Sequence, residues 1–142
     1  MNRKQFVNKL GAAALLTSLG VSAESCTYDK ESAGDPDVPT PALATFSITS
    51  GVFTALSVDD GWLLHPDENI LLVNLGGTIS AYSSVCPHAQ CARNWEYENS
   101  VFTCTCHISR FEADGSFKSG PANQGLTKLT VEQQGDVVTV TV

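Results

Sequence analysis

The spacing of apolar and polar positions divides the chain into three stretches. Leu10 to Val21 is an uncharged, largely apolar run of twelve residues behind the basic segment Met1 to Lys9. Residues 27 to about 44 carry Asp29, Glu31, Asp35 and Asp37 among Pro36, Pro39 and Pro41, with no apolar period. Such a segment buries too little to fold on its own and reads as a semi-extended tether. Beyond it the rhythm is that of strands. Ile70 to Tyr82 reads as two short strands around Gly76-Gly77, and Leu129 to Val140 alternates apolar and polar residues on either side of Gly135-Asp136. Both are hairpin signals. No stretch after residue 45 keeps a 3.6-residue apolar period over three turns, so the expected fold class is all-β, an antiparallel sandwich or small barrel. Phe46, Phe53, Trp62, Tyr82, Trp95 and Phe117 are expected in the core or packed under loops, and His65, in the polar stretch His65-Pro66-Asp67-Glu68-Asn69, is expected to be a solvated turn residue.

The N-terminal stretch has the plan of a secretory signal, basic and then apolar. At about 1.5 Å per helical residue, twelve residues are too short to cross a hydrocarbon core of roughly 30 Å. Arg3-Lys4-Gln5-Phe6 resembles a twin-arginine export signal with Lys in the second place, and the substitution leaves the general secretory route open. Ser25-Cys26 resembles the end of a bacterial lipoprotein signal, which would make Cys26 the lipid-bearing first residue of the mature chain. Ala23 and Glu24 depart from the usual lipobox, and the alternatives for Cys26 are a free thiol or removal with a longer signal. The expected organisation is a signal over 1–25, a tether over 26–44 and one folded domain over 45–142. Cleavage before Cys26 would remove Arg3, Lys4, Lys9 and Glu24 from the eight basic and fifteen acidic side chains, leaving a formal charge of -9. Nucleic acid and anionic membrane surface are poor partners for such a chain, whereas a basic protein partner would be steered to it.

The chemistry is concentrated in two short clusters, Cys86-Pro87-His88-Ala89-Gln90-Cys91 and Cys104-Thr105-Cys106-His107. One Cys and one His from each cluster would give one iron two thiolates and the other two imidazoles. Replacing Cys by His on one iron of a 2Fe-2S centre raises its reduction potential. Two ferric ions, two sulfides and two thiolates sum to zero charge, whereas four thiolates leave minus two, and a neutral site accepts an electron more readily. An imidazole bound to ferric iron also loses its remaining proton more easily, so reduction is expected to be coupled to protonation of His88 and His107. A tetrahedral zinc site uses the same four donors, but it leaves Cys91 and Cys106 without a role. Structural disulfides alone leave both histidines unexplained.

The pattern Cys-x-His, fifteen residues, Cys-x-x-His resembles that of the Rieske iron-sulfur proteins, over about Thr45 to Val142. The resemblance implies one Rieske-type 2Fe-2S cluster with Cys86, His88, Cys104 and His107 as ligands. It also implies a Cys91–Cys106 disulfide tying the two loops, as in the disulfide-containing members of cytochrome bc complexes and the arsenite oxidase small subunit. Ser109 to Ala122 looks like the family's Phe-x-x-x-Gly stretch and the loop that covers the cluster, here Gly120-Pro121. A base subdomain built from both chain ends is implied, with a cluster-binding subdomain inserted at about 81–122. In high-potential members a Ser and a Tyr hydroxyl bond to sulfur. Ser109 matches the first; Phe111 stands in place of the second and has no hydroxyl. Gln90 and Ile108 replace usual glycines. The expected potential is therefore intermediate within the family's span of roughly -150 to +300 mV.

The function these residues imply is one-electron transfer by an exported carrier, or by the small subunit of a larger oxidoreductase. Its partner would be a cytochrome or a quinol-oxidising or molybdenum-type subunit, with membrane contact only through a lipidated Cys26 and a periplasmic or membrane-anchored location. The alternative in the same class is the quinol-oxidising subunit of a cytochrome bc complex. The non-redox alternative is a zinc- or disulfide-stapled binding module of the cell surface. Oxygenases that carry a Rieske domain need a further catalytic iron domain, for which 142 residues leave no room.

Overall fold

The computed structural model describes residues 41–142. The signal, Cys26 and most of the tether expected before residue 41 lie outside the described residues. The described part holds β1 (Ala44–Ser47), a 3-10 helix (Gly51–Ser57), β2 (Trp62–Leu64), β3 (Ile70–Leu75), β4 (Thr78–Ser83), β5 (Trp95–Glu98), β6 (Val101–Cys104), β7 (Ser109–Glu112), β8 (Phe117–Ser119), β9 (Lys128–Gln134) and β10 (Val137–Thr141). All strand pairs are antiparallel. A six-stranded sheet runs in the order β1-β10-β9-β4-β3-β2, and a four-stranded sheet runs β5-β6-β7-β8.

Turn chemistry sets the register of the β3–β4 hairpin. Gly76 and Gly77 take φ of 62° and 88°, the positive values a two-residue type I′ turn needs and a side chain resists. Leu75 therefore faces Thr78, and the ladder continues to Ile70 opposite Ser83. Asn74 secures the turn: its Oδ1 accepts from Gly77 N at 2.7 Å while its Nδ2 donates to the Leu56 carbonyl at 2.9 Å. The second hairpin forms around Gly135-Asp136, with Gln134 opposite Val137.

The unbroken apolar run Ile70-Leu71-Leu72-Val73 is explained by what lies on each side of β3. Ile70 and Leu72 pack with Phe46, Ile79, Ala81, Val138 and Val140, whereas Leu71 and Val73 pack with Tyr82, Trp95, Phe102 and Phe111. All four residues of the run are buried. A strand buried on both faces has no reason to alternate. At about 1.5–3 kcal/mol for each fully buried aliphatic side chain, β3 is the wall shared by two cores. The second core is that of the inserted four-stranded sheet, which leaves the chain after β4 and returns to it at β9.

Two expectations are corrected by this packing. Phe117 is not a core residue; it is 37% exposed and meets Phe111 edge-on. His65 is not solvated. It is 8% exposed, its ring lies 5.3 Å from that of Phe53 and 6.0 Å from that of Phe46, and its Nδ1 accepts from the backbone N–H of Glu68 at 3.0 Å and of Asp67 at 3.3 Å. The imidazole serves as an internal cap for the turn, and the Phe53–Phe46 stack at 4.3 Å completes its pocket.

Burial holds the His65 pKa below its ordinary value, against the opposing pull of Glu68 and Asp67 and with a smaller push from Arg93. The unfolded chain thus binds this proton at higher pH than the folded one, so the contribution of His65 is complete above about pH 6.5 and declines as pH falls below it. A His65→Phe variant keeps the ring packing and loses the acceptor. Thermal unfolding at pH 7.5 should find it less stable than wild type by about 1 kcal/mol, and the gap should narrow towards pH 5. A gap independent of pH would show that protonation of His65 does not reach the fold.

Candidate metal centre

Two loops come together at the open end of the four-stranded sheet. The first leaves β4 and curls tightly: Cys86 N donates to the Cys91 carbonyl at 2.8 Å, and Gln90 N to the Cys86 carbonyl at 2.9 Å. The curl keeps Cys86 at 2% exposure and turns His88 outward into solvent. The second loop is the four-residue connection between β6 and β7. Cys104 faces Trp95 on one side and Ser109 on the other, and Ile108 N donates back to the Cys104 carbonyl at 3.0 Å. Cys104 is 1% exposed, whereas His107 is exposed. Gln90 and Ile108 adopt φ of 61° and 58°. These are the left-handed values that glycine adopts freely, and a branched residue there is strained.

Each loop is then tied to something outside itself. A Cys91–Cys106 disulfide joins one loop to the other, across 15 residues of sequence. Closing a loop of that length stabilises a fold by about 3 kcal/mol in the chain-entropy account. Thr105 N donates to the Asn94 carbonyl at 2.9 Å, a second link between the loops. Arg93 reaches back to the base: its Nη1 donates to the carbonyls of His65 and Glu68, both at 2.9 Å, and its Nη2 to that of Pro66 at 2.8 Å. Trp95 Nε1 donates to the Ser84 carbonyl at 2.8 Å. On the far side Tyr97 donates to Asp60 Oδ1, Ser100 Oγ donates to Asp60 Oδ2 at 2.9 Å, and the ring of Tyr97 lies 5.8 Å from that of Trp62. Burial, reinforced by the Asp60 carboxylate, pushes the Tyr97 phenol well above its ordinary pKa.

The segment after β8 closes over the second loop. Gly120 has φ of 106°, and a Cβ on it would lie 2.5 Å from the Ile108 carbonyl oxygen and 2.8 Å from Ser109 Cα. Backbone thus lies directly on backbone there, and only glycine allows it. Pro121 follows at the surface and Ala122 turns into the core with Cys86 and Cys104.

The result is a graded donor set, with thiols inside and imidazoles outside. Cys86 and Cys104 are free and adjacent in the core. Burial raises the Cys104 thiol pKa and the neighbouring Cys86 raises it further, against the backbone N–H groups of Cys106 and His107, which pull it down. Two buried thiols side by side resist becoming two thiolates unless a cation shares the site. The rings of His88 and His107 lie 4.7 Å apart, nearly perpendicular at 79°. Among the described residues Cys91, Cys104 and Cys106 also converge, with ligand atoms within 4.8 Å of one another. Cys91 and Cys106 spend their sulfurs on each other, so that trio offers a single thiolate.

Ser109 tests the fit. Its Oγ is fully buried beside the second loop and has no hydrogen-bond partner within the protein, an arrangement that costs about 1–3 kcal/mol unless an acceptor arrives. A sulfide-bearing centre would supply one. Phe111 is buried between Trp95 and Phe117 and offers no such donor. Sequence reasoning missed Arg93, Tyr97 and Ser84 because their partners are backbone carbonyls or side chains distant in sequence, and no local motif announces them.

The model of the Rieske [2Fe-2S] domain family matches residues 52–131. The cytochrome b6-f complex iron-sulfur subunit of Chlorobaculum tepidum is 29% identical over 76 residues, 54% of this chain and 42% of that subunit. The cytochrome b6-f complex iron-sulfur subunit 2 of a Nostoc species is 25% identical, over 97% of this chain and 83% of its own length. The chain thus spans less than half the length of the first of these relatives. Among solved structures, a quaternary ammonium Rieske monooxygenase shares the fold with a TM-score of 0.53 at 19% identity, over 72% of this chain and 30% of that one. With the matched segment running through both cysteine–histidine loops and most of the two sheets, the chain belongs to the Rieske [2Fe-2S] domain family, whose single cofactor is a 2Fe-2S cluster.

Proposed function

We propose that the chain transfers single electrons, with Cys86 and Cys104 binding one iron and His88 and His107 the other. The observation that carries the reading is the gradient from two buried free thiols to two exposed imidazoles, in a chain matched by the family model through both loops. When bound, the 2Fe-2S cluster supplies a one-electron couple of raised potential. The protein's own residues do the rest. Cys86 and Cys104, both buried, would hold one iron away from water. His88 and His107 present their rings at the surface, where an electron partner can approach. The Cys91–Cys106 bridge ties the loops together and Gly120 lies on the backbone of the second, so little rearrangement would accompany a change of charge. The buried, unpartnered Ser109 Oγ would donate to sulfur, which favours the reduced, more negative form.

The organisation proposed around this domain is a signal over 1–25, a tether over 26–44 that ends in lipidated Cys26, and the folded domain over 45–142. No helix among the described residues is long and apolar enough to cross a membrane. The chain would then work at an exported face, as a carrier or small subunit beside a larger redox protein. The second reading, a quinol-oxidising subunit, is favoured by relatives that are iron-sulfur subunits of cytochrome b6-f complexes.

A redox titration of the full chain, read by electron paramagnetic resonance at several pH values, should give a Rieske-type signal with a potential that falls as pH rises. An iron-replete protein without that signal would overturn the ligand assignment. Phe111→Tyr should raise the potential by about 59 mV for each tenfold gain in the reduced form, and an unchanged potential would show that the missing hydroxyl does not set it. Mass spectrometry of the protein from membranes should find Cys26 as a lipid-modified N-terminus; an unmodified mature end beyond residue 26 would remove the anchor.

A further inference from the structure

Among the described residues two buried side-chain oxygens lack a hydrogen-bond partner, Ser109 Oγ and Ser84 Oγ. Both residues are 0% exposed. They flank the site almost symmetrically, with Ser109 two residues after His107 and Ser84 two residues before Cys86. Ser109 has its explanation above; Ser84 has none.

The main chain of Ser84 is pinned on both sides. Its N–H donates to the Asn69 carbonyl at 2.9 Å, extending the β3–β4 ladder by one step, and its carbonyl accepts from Trp95 Nε1 at 2.8 Å. The facing of the side chain follows from the alternation of β4, which the bond to Asn69 carries one step past Ser83. Ala81 packs into the base core, whereas Tyr82 and Cys86 pack into the core that also holds Trp95, Phe102, Cys104 and Phe111. Ser84 shares the parity of Tyr82 and Cys86. Its hydroxyl therefore enters a core that is poor in acceptors. Phe102 and Phe111 have none, and the indole of Trp95 is a donor already in use. The Tyr82 hydroxyl and the thiols of Cys86 and Cys104 belong to the same core, yet none of them pairs with Ser84 Oγ, so its acceptor has to come from outside the chain, as an inorganic sulfide would. An apolar residue would fill such a position without the cost of about 1–3 kcal/mol that an orphaned hydroxyl carries.

We propose that Ser84 Oγ donates a hydrogen bond to sulfur at the metal centre, on the Cys86 side, so that two serine hydroxyls address it from opposite loops. Ser84 lies against Trp95, whose ring packs 5.7 Å from that of Phe111. Ser84 is a positioning and tuning residue: the charge on sulfur grows on reduction, and a donor aimed at it favours the reduced form.

The inference rests on the Rieske reading above, and the test separates the two. Potentiometry with electron paramagnetic resonance is carried out on the full holo-chain of wild type, Ser84→Ala and Ser84→Thr. Ser84→Ala should keep the Rieske signal and lose about tenfold in the reduced-to-oxidised ratio at a given potential, a drop of about 59 mV for a one-electron couple. Ser84→Thr, which keeps the hydroxyl, should stay near wild type. A Rieske signal with the same potential in Ser84→Ala overturns the role of Ser84 and leaves the family reading intact, whereas absence of the signal from wild type overturns the reading underneath. Should the alanine variant not assemble, a crystal structure of the wild-type holo-protein decides. Ser84 Oγ within hydrogen-bond reach of sulfur supports the proposal, and Oγ bonded to a carbonyl or a water refutes it.

Discussion

The site depends on one constraint: two loops that begin eighteen residues apart, at Cys86 and Cys104, must be held at a fixed separation while their cysteines stay dry and their histidines stay wet. Each loop alone is only a turn. The second is positioned by the ladders on either side of it, since Cys104 and Ser109 are register partners at its two ends. The first belongs to no hairpin. Its place comes from the Cys91–Cys106 bridge, from Thr105 bonding to Asn94, and from Arg93, which grips three carbonyls of the 65–68 turn. A planar guanidinium suits this task, because its fixed fork meets several acceptors at once and never loses its charge.

That grip transmits rigidity only because the turn it holds is itself rigid. His65 caps the turn from inside, with Phe53 and Phe46 against its ring. The same base supports the inserted sheet through β3, whose two faces belong to different cores. Moving the insert would therefore strip Leu71 and Val73 of their neighbours while Ile70 and Leu72 stayed put. Close-packed interiors resist such partial motions. The metal centre stands on a base that has little freedom to move beneath it.

Electrostatics divides the protein along the same line. The acidic excess lies at exposed positions such as Glu96, Glu98 and Glu132, and the inner site is built from neutral or weakly polar groups, Ser84 and Ser109 among them. In such surroundings a hydroxyl dipole acts on a neighbouring charge with little screening. The buried hydroxyls at 84 and 109 thus lie in a place where formal charges are few.

The family was legible in the sequence because its cysteines and histidines stand at spacings a tight loop can close, and 86–91 and 104–107 carry that pattern locally. The hairpins were legible for a similar reason: Gly76-Gly77 and Gly135-Asp136 are turn residues whose allowed φ values are a property of the residue itself. The wall strand was legible as a strand, but its two cores were not, since an apolar run does not say what lies on either face. His65 shows the limit most plainly. Its neighbours Pro66, Asp67, Glu68 and Asn69 are all exposed, so its sequence context is that of a solvated turn, and only the packing of Phe46 and Phe53 from elsewhere buries it. The sequence by itself determined the donor types, their spacing and the strand pattern, because these are local properties of the residues. The tertiary structure alone decided which polar groups lost their water, the partners of Arg93 and Tyr97, and the orphaned hydroxyl of Ser84. Burial and long-range hydrogen bonds are made between residues that the chain brings together only when it folds.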